Sequence, residues 1–205
     1  MSDSSNPPLA AQAAPKKNPY TLWFVVLSFV TPVAAAYLLY FFGDVKSFSN
    51  NGELLNPVAD FQALQLSDAE QKRFTTESLE HKWHMLLFTR ADCTGSCRDM
   101  LTRMHQINRA VGKHAYRLRH MVVHLQAPSP AFEKLLNTEF PRAIRTYGDA
   151  GVAQNALAPT QQAIDTNRVF LVDPLGNIMM AFDPALDPKL IIQDLKKLFK
   201  VSQIG

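Results

Sequence analysis

Two cysteines, Cys93 and Cys97, are the only thiols in a chain of 205 residues. They stand in Cys93-Thr94-Gly95-Ser96-Cys97, after an apolar run from Trp83 to Thr89 that reads as a buried strand. Apolar residues at Met100, Leu101, Met104, Ile107 and Val111 follow at close to helical spacing. The motif is therefore expected at a helix start. There, unpaired N–H groups and the positive end of the helix dipole favour thiolate over thiol. Residues four apart share a helix face, so the sulfurs can meet. That spacing suits a reversible disulfide, or a soft metal such as copper(I) held by two thiolates. A structural disulfide, or two unrelated core thiols, would use the same residues without chemistry.

Thiol–disulfide exchange asks only for one accessible thiolate and a resolving thiol, with no cofactor. Cys93, earlier and expected to be more exposed, is the better nucleophile. Cys97, inside the helix, is the better resolving partner. Arg90 and Arg98 flank the motif and are placed to favour a thiolate. A tight, selective copper(I) site needs a third ligand. Of six histidines, His84 in the strand before the motif and His124 near the end of the next strand are the candidates. For each, a lone histidine satisfied by hydrogen bonds is the competing reading. Met100 and Met104 read as core fillers.

These residues need positioning elements, and the first lies outside the catalytic region. Tyr20 to Phe42 carries no charge over 23 residues. At about 1.5 Å per residue it reaches roughly 34 Å, enough to span a bilayer core. Tyr20, Trp23, Tyr37 and Tyr40 lie toward its ends, as interfacial aromatics do. Residues 20–42 are thus expected to be an uncleaved, single-pass anchor, kinked at Pro32. Residues 1–19, rich in Ser, Ala, Pro and Asn, read as a disordered tail, and 43–51 as a tether. Lys16 and Lys17 precede the span and Lys46 follows it, so the tail is expected in the cytoplasm and the domain in the periplasm. An oxidisable cysteine pair fits that compartment. The net charge of +3, without a basic block, gives no reason to expect nucleic acid.

Residues 52–205 are expected to form one α/β domain. Gly52 to Pro57 reads as a short strand, and Ser67 and Glu70 have capping-box spacing for a short helix. Arg119 to Leu125 is a second buried strand, and Phe132, Leu135, Leu136 and Phe140 face the core from another helix. Pro141 to Arg168 reads as a long loop with a turn near Gly148, of a length usually functional or partly structured. Val169–Val172 and Ile178–Phe182 form a hairpin around Pro174 and Gly176. Asp187 and Pro188 open a closing helix with Leu190, Ile191, Leu195, Leu198 and Phe199 on its buried stripe.

Strand, cysteine helix, strand, helix, hairpin, helix is the order of a thioredoxin-like fold, a central mixed sheet flanked by helices. The Cys-x-x-x-Cys motif, the anchor, the Gly-x-Leu-Leu-Asn strand and the Phe170–Gly176 hairpin resemble the Sco family. Those are membrane-anchored, thioredoxin-like proteins of cytochrome c oxidase copper-site assembly. The resemblance implies a thiol–disulfide oxidoreductase of the cytoplasmic membrane. Its partner would be an oxidase subunit with copper-ligand cysteines, or a copper donor protein. A non-enzymatic copper(I) chaperone and an assembly scaffold with a structural disulfide are the alternatives. The family's ligand histidine would fall at Asp165, a hard carboxylate that soft copper(I) binds poorly. The family's Asp-Pro segment after the second strand is replaced by Leu125 to Pro130.

Overall fold

The computed structural model describes residues 19–42, 50–165, 167–202 and 204. The chain divides into two compact units, residues 1–49 and 50–205. The expected tail before residue 19, and the tether up to residue 49, lie outside the described residues.

In the first unit the uncharged run forms α1 (Pro19–Phe42), 24 residues with Pro32 inside. Side chains are described for Tyr20 and for 23–38, and all of these are exposed. Among the described residues, no helix is long and apolar enough to cross a membrane, so the anchor expected over residues 20–42 is not shown by the structure.

The second unit is built on a six-stranded sheet. Its strands are β1 (Glu53–Asp60), β2 (Trp83–Thr89), β3 (Leu118–His124), β4 (Ile144–Tyr147), β5 (Val169–Val172) and β6 (Asn177–Phe182), in spatial order β1-β6-β5-β2-β3-β4. β2, β3 and β4 run parallel, and β5 and β6 extend the sheet antiparallel as the expected hairpin. This is the mixed sheet of a thioredoxin-like fold. Strand alternation sorts the core into two layers. Trp83, Met85 and Leu87 of β2 point to one face, with Leu118 and Val122 of β3. That face is covered by α2 (Ser96–Ala110), α3 (Pro130–Glu139) and α5 (Pro188–Val201). Leu86 and Phe88, with Met121 and Val123, point to the other face, which α4 (Ala150–Leu157) covers.

Several local expectations differ from the fold. The first strand continues past Pro57 to Asp60, because β1 is a sheet edge with a register shift between Leu54 and Ala59. A residue without an N–H is tolerated there. The segment at Ser67–Glu70 is not a helix. Ser67 instead exchanges backbone hydrogen bonds with Tyr147 at 2.9 and 2.8 Å. The Asp68 carboxylate accepts from the N–H groups of Glu70 and Lys72. The region 141–168 is not one long loop: it holds β4 and α4, with the Asp149 carboxylate capping α4 through Val152 N–H at 2.9 Å.

Asp194, inside α5, is fully buried. Its carboxylate accepts from Asn51 N at 2.7 Å, Gly52 N at 2.9 Å and Asn51 Nδ2 at 2.8 Å, which fastens the start of the domain to the closing helix. Gly52 is needed here, since a Cβ would lie 2.5 Å from the Phe182 ring.

Candidate functional site

β2 ends at Thr89, and the chain crosses three residues, Arg90 to Asp92, before Cys93. Backbone bonds from Leu125 N to Thr89 O (2.9 Å) and from Ser129 N to Ala91 O (2.8 Å) brace this crossing against the segment that leads into α3. Ser129 also caps α3 by accepting from Phe132 N–H. The Leu125–Pro130 segment therefore supports the cysteine loop.

The sulfurs of Cys93 and Cys97 are joined in a disulfide with a Cα separation of 5.1 Å. The pair does not lie along one helix face as expected. Cys93 is in the loop, and only Cys97 is inside α2, as its second residue. The turn between them passes through Gly95 at φ +55° and ψ −124°, a conformation that glycine adopts readily and side-chain-bearing residues resist. Gly95 is thus required by the motif's shape. Nor is Cys93 the more exposed cysteine: it is 4% exposed against 7% for Cys97. Access instead comes from a cleft of about 250 Å³, lined by Asp92, Cys93, Thr94, Arg98, Phe132 and Leu135. Cys97 does not line it.

Arg98 reaches this cleft but pairs with Glu139 at 2.6 Å, on a solvent-exposed surface where such a pair contributes little. Arg90 is exposed. Ser96, between the cysteines, donates to Asn167 Oδ1 at 2.7 Å. The loop before β5 therefore does reach the motif, but through Asn167. Asp165 instead closes its own turn: its carboxylate accepts from Asn167 N at 2.9 Å and its carbonyl from Arg168 N at 3.2 Å. Arg168 anchors the loop by pairing with Glu53 and Asp183, each at 3.5 Å. No sequence signal marked Asn167, because a polar residue in a loop is unremarkable until its partner is known.

The two histidine candidates separate clearly. His84 pairs in register with Arg119 and shares the α4-covered face with Leu86, opposite the cysteines. It also stands five residues before Thr89, about 17 Å back along the strand at ~3.3 Å per residue. Its Nδ1 meets Lys82 O at 2.9 Å, and burial pushes its pKa down to about 4. His84 is not a ligand for this cysteine pair.

His124 lies on the cysteine face, paired with Thr89. Its Nδ1 is 3.2 Å from Thr89 Oγ1, which itself donates to Val123 O. The ring is held between Phe132 and Tyr147, with centroids at 5.3 and 5.2 Å, and its Nε2 is buried without a partner. Burial holds its pKa at about 4, so the ring is neutral. Phe132, however, also lines the Cys93 cleft, so the aromatic ring packs against His124 on one side and forms the cleft wall on the other. Among the described residues, no three His, Cys, Asp or Glu side chains are grouped to hold a metal ion.

Residues 83–202 match the family described as transmembrane-like, thioredoxin-like, C-terminal domain. Yeast Sco1 is a structural neighbour at TM-score 0.55 and 20% identity, covering 72% of this chain and 96% of that one. Yeast Sco1 with copper bound matches at 0.55 and 18%, covering 75% and 95%. BsSco, a Sco-family cytochrome c oxidase assembly protein described with a disulfide switch, matches at 0.54 and 14%, covering 71% and 96%. These likenesses are of fold. No curated protein matches the sequence.

Proposed function

The chain belongs to the transmembrane-like, thioredoxin-like, C-terminal domain family, and from that premise we propose a membrane-anchored thiol–disulfide oxidoreductase acting in cytochrome c oxidase copper-site assembly. One observation carries the reading: the disulfide joins a helix-start cysteine to a loop cysteine that opens on a cleft. In the reduced chain, Cys93 thiolate attacks a partner's disulfide and forms a mixed disulfide, expelling one partner thiolate. Cys97 thiolate then attacks Cys93 Sγ, and the second partner sulfur leaves with the electron pair. The partner gains two electrons and, from water, its protons; the Cys93–Cys97 disulfide is the product. A dithiol donor must reduce it again. The dipole at the start of α2 favours Cys97 as thiolate, the form needed for the resolving step.

The anchor and the compartment are part of the same proposal. An uncharged helix with exposed apolar side chains supports an anchor, and the two-to-one count of flanking lysines supports a cytoplasmic N-terminus and a periplasmic domain. The substrate would be an oxidase subunit with copper-ligand cysteines, or a copper donor protein.

Copper enters as cargo, and the residues here do not fit a three-ligand site. For the reduced Cys93 and Cys97, His84 is on the far face and Asp165 is a hard donor engaged in its own turn. The second reading, a non-enzymatic copper(I) chaperone, rests on the unpartnered Nε2 of His124 on the cysteine face.

The test uses the full chain in detergent, reduced and then mixed with a disulfide-bonded peptide carrying two cysteines. Cys97→Ser should accumulate the mixed disulfide, seen by mass, and Cys93→Ser should form almost none. Equal trapping by both variants would sink the assignment of roles.

A further inference from the structure

Cys93 is nearly buried, so a partner sulfur reaches it through the cleft of about 250 Å³ that it lines. In a mixed disulfide the two sulfurs stand about 2.05 Å apart, and the residues on either side of the partner's cysteine lie about 3.8 Å from it, Cα to Cα. A neighbouring side chain of the partner must therefore enter the same cleft. The volume is below the roughly 300–1,000 Å³ of small-molecule and cofactor pockets, and it suits a side chain.

One wall of the cleft is apolar. Ala131, Phe132 and Leu135 of α3 line it, and spacings of i,i+3 and i,i+4 put them on one stripe of the helix. Ala131 is exposed and Leu135 half-buried, so the fold leaves part of that stripe uncovered. The wall is also fixed in place. Phe132 N–H donates to Ser129 Oγ at 3.2 Å, its ring packs against His124 with centroids 5.3 Å apart, and Ser129 N is tied to Ala91 O in the cysteine loop. A preorganised wall loses little freedom when a partner covers it.

Charge sets the other half of the preference. Arg98 lines the cleft, but its guanidinium is offset by Glu139 at 2.6 Å. Asp92, also lining it, is in no ion pair among the described residues. A partner carboxylate placed here would leave water for an apolar wall and face the Asp92 carboxylate. An apolar side chain would gain by burial instead.

We propose that the Cys93 cleft selects partners whose reactive cysteine is flanked by large apolar residues and rejects those flanked by acidic ones, with Leu135 as the specificity-determining contact. The inference rests on the redox reading, with Cys93 as the attacking thiolate. In that step Cys93 Sγ bonds to the partner's sulfur, the partner's S–S bond breaks, and the other sulfur leaves with the electron pair as a thiolate.

Reduced full-length Cys97→Ser chain in neutral detergent would be mixed with single-cysteine peptides that differ only in the residues flanking the cysteine: Leu, Gly or Glu. Each peptide is activated as a thionitrobenzoate mixed disulfide. Absorbance of the released thionitrobenzoate gives the rate, and mass confirms the peptide adduct on Cys93. Each rate is divided by that of the same peptide with glutathione, which removes the peptide's own reactivity. The Leu peptide should then lead the Glu peptide by at least tenfold, a factor equivalent to about 1.4 kcal/mol, with Gly between them. Leu135→Lys should lower that ratio at least tenfold with the circular dichroism unchanged, and Leu135→Gln takes its place where the lysine variant unfolds. A Leu-to-Glu ratio under tenfold, or a smaller drop in the folded Leu135 variant, would overturn the proposal and leave the redox reading standing. Dithiobis-nitrobenzoate, which carries no peptide, separates the two. A Cys93 that does not react even with this reagent would overturn the redox reading and the proposal with it.

Discussion

Treating the full chain with a phosphine reductant opens the Cys93–Cys97 disulfide, and the ring it closes is small, at a sequence separation of 4. In the chain-entropy model a five-residue ring restricts the unfolded chain by only about 2 kcal/mol at 25 °C. For a domain of this size each kcal/mol moves Tm by about 2–4 °C, so reduction should lower Tm by about 4–8 °C. The remaining core supports this small figure. Cys93 and Cys97 are two small members of a large layer that also holds Trp83, Met85, Leu87, Met104, Ile107 and Phe199, and the opposite layer does not contain them. By the same thermodynamic cycle the folded disulfide should be about 40 mV harder to reduce than in the unfolded chain. The assay is thermal unfolding followed by near-ultraviolet circular dichroism, with and without reductant. A Cys93→Ser, Cys97→Ser double variant should melt with the reduced protein. Unfolding at 25 °C on reduction, or a Tm loss beyond about 15 °C, would refute the reasoning. The bond would then be a structural staple and the protein a scaffold.

Three further outcomes follow from named contacts. Ser96→Ala and Asn167→Ala should show a coupling of about 0.5–1.5 kcal/mol in a double-mutant cycle by urea unfolding, and strict additivity would deny that the loop is clamped to the motif. Asp194→Ala leaves the N–H groups of Asn51 and Gly52 without their acceptor and should cost about 2–4 kcal/mol, more than an exposed carboxylate such as Glu70 on the same scale. His84, His120 and His124 are held by burial at about 4, below the ordinary 6.5. Above pH 6.5 both folded and unfolded chains are neutral at these rings. Below it the unfolded chain takes protons first, so stability should be full above pH 6.5 and fall as pH drops toward 4. Urea unfolding free energies that stay level from pH 7.5 to 4.5 would contradict the burial of these rings.

The strands and helices that carry the site were legible because each has a strong local signal. The β2 run is apolar except for His84 and Thr89, as suits a strand buried on both faces, and its boundaries in the structure are those of the run. Asp187 and Pro188 gave the start of α5, and the carboxylate does cap Lys189 N–H at 2.9 Å. β4 and α4 were not legible. β4 is four residues long, Ile144–Tyr147, two of them charged or polar, and its pairing with β3 is a tertiary fact. Ser67 carried a helix-cap pattern, but its backbone is committed to Tyr147, and a cross-chain ladder outweighs a weak local preference. At the site, the spacing identified the two sulfurs, while the positions of the histidines depended on strand register. His84 and His124 look alike in sequence, and the parity of their positions on paired strands sends them to opposite faces.

The asymmetry of the two cysteines bears on how a redox change can be felt elsewhere. Cys97 begins a helix whose next turn carries Met100 and Leu101 into the core, so its backbone is fixed by packing that does not depend on the disulfide. Cys93 is held by the loop, and that loop is braced through Ala91 to Ser129 and closed over by Asn167 at Ser96. Cys93 is the sulfur that lines the cleft. Asn167, before β5, meets the motif at Ser96, between the two sulfurs. Arg168 then connects that segment to both β1 and the end of β6 through Glu53 and Asp183.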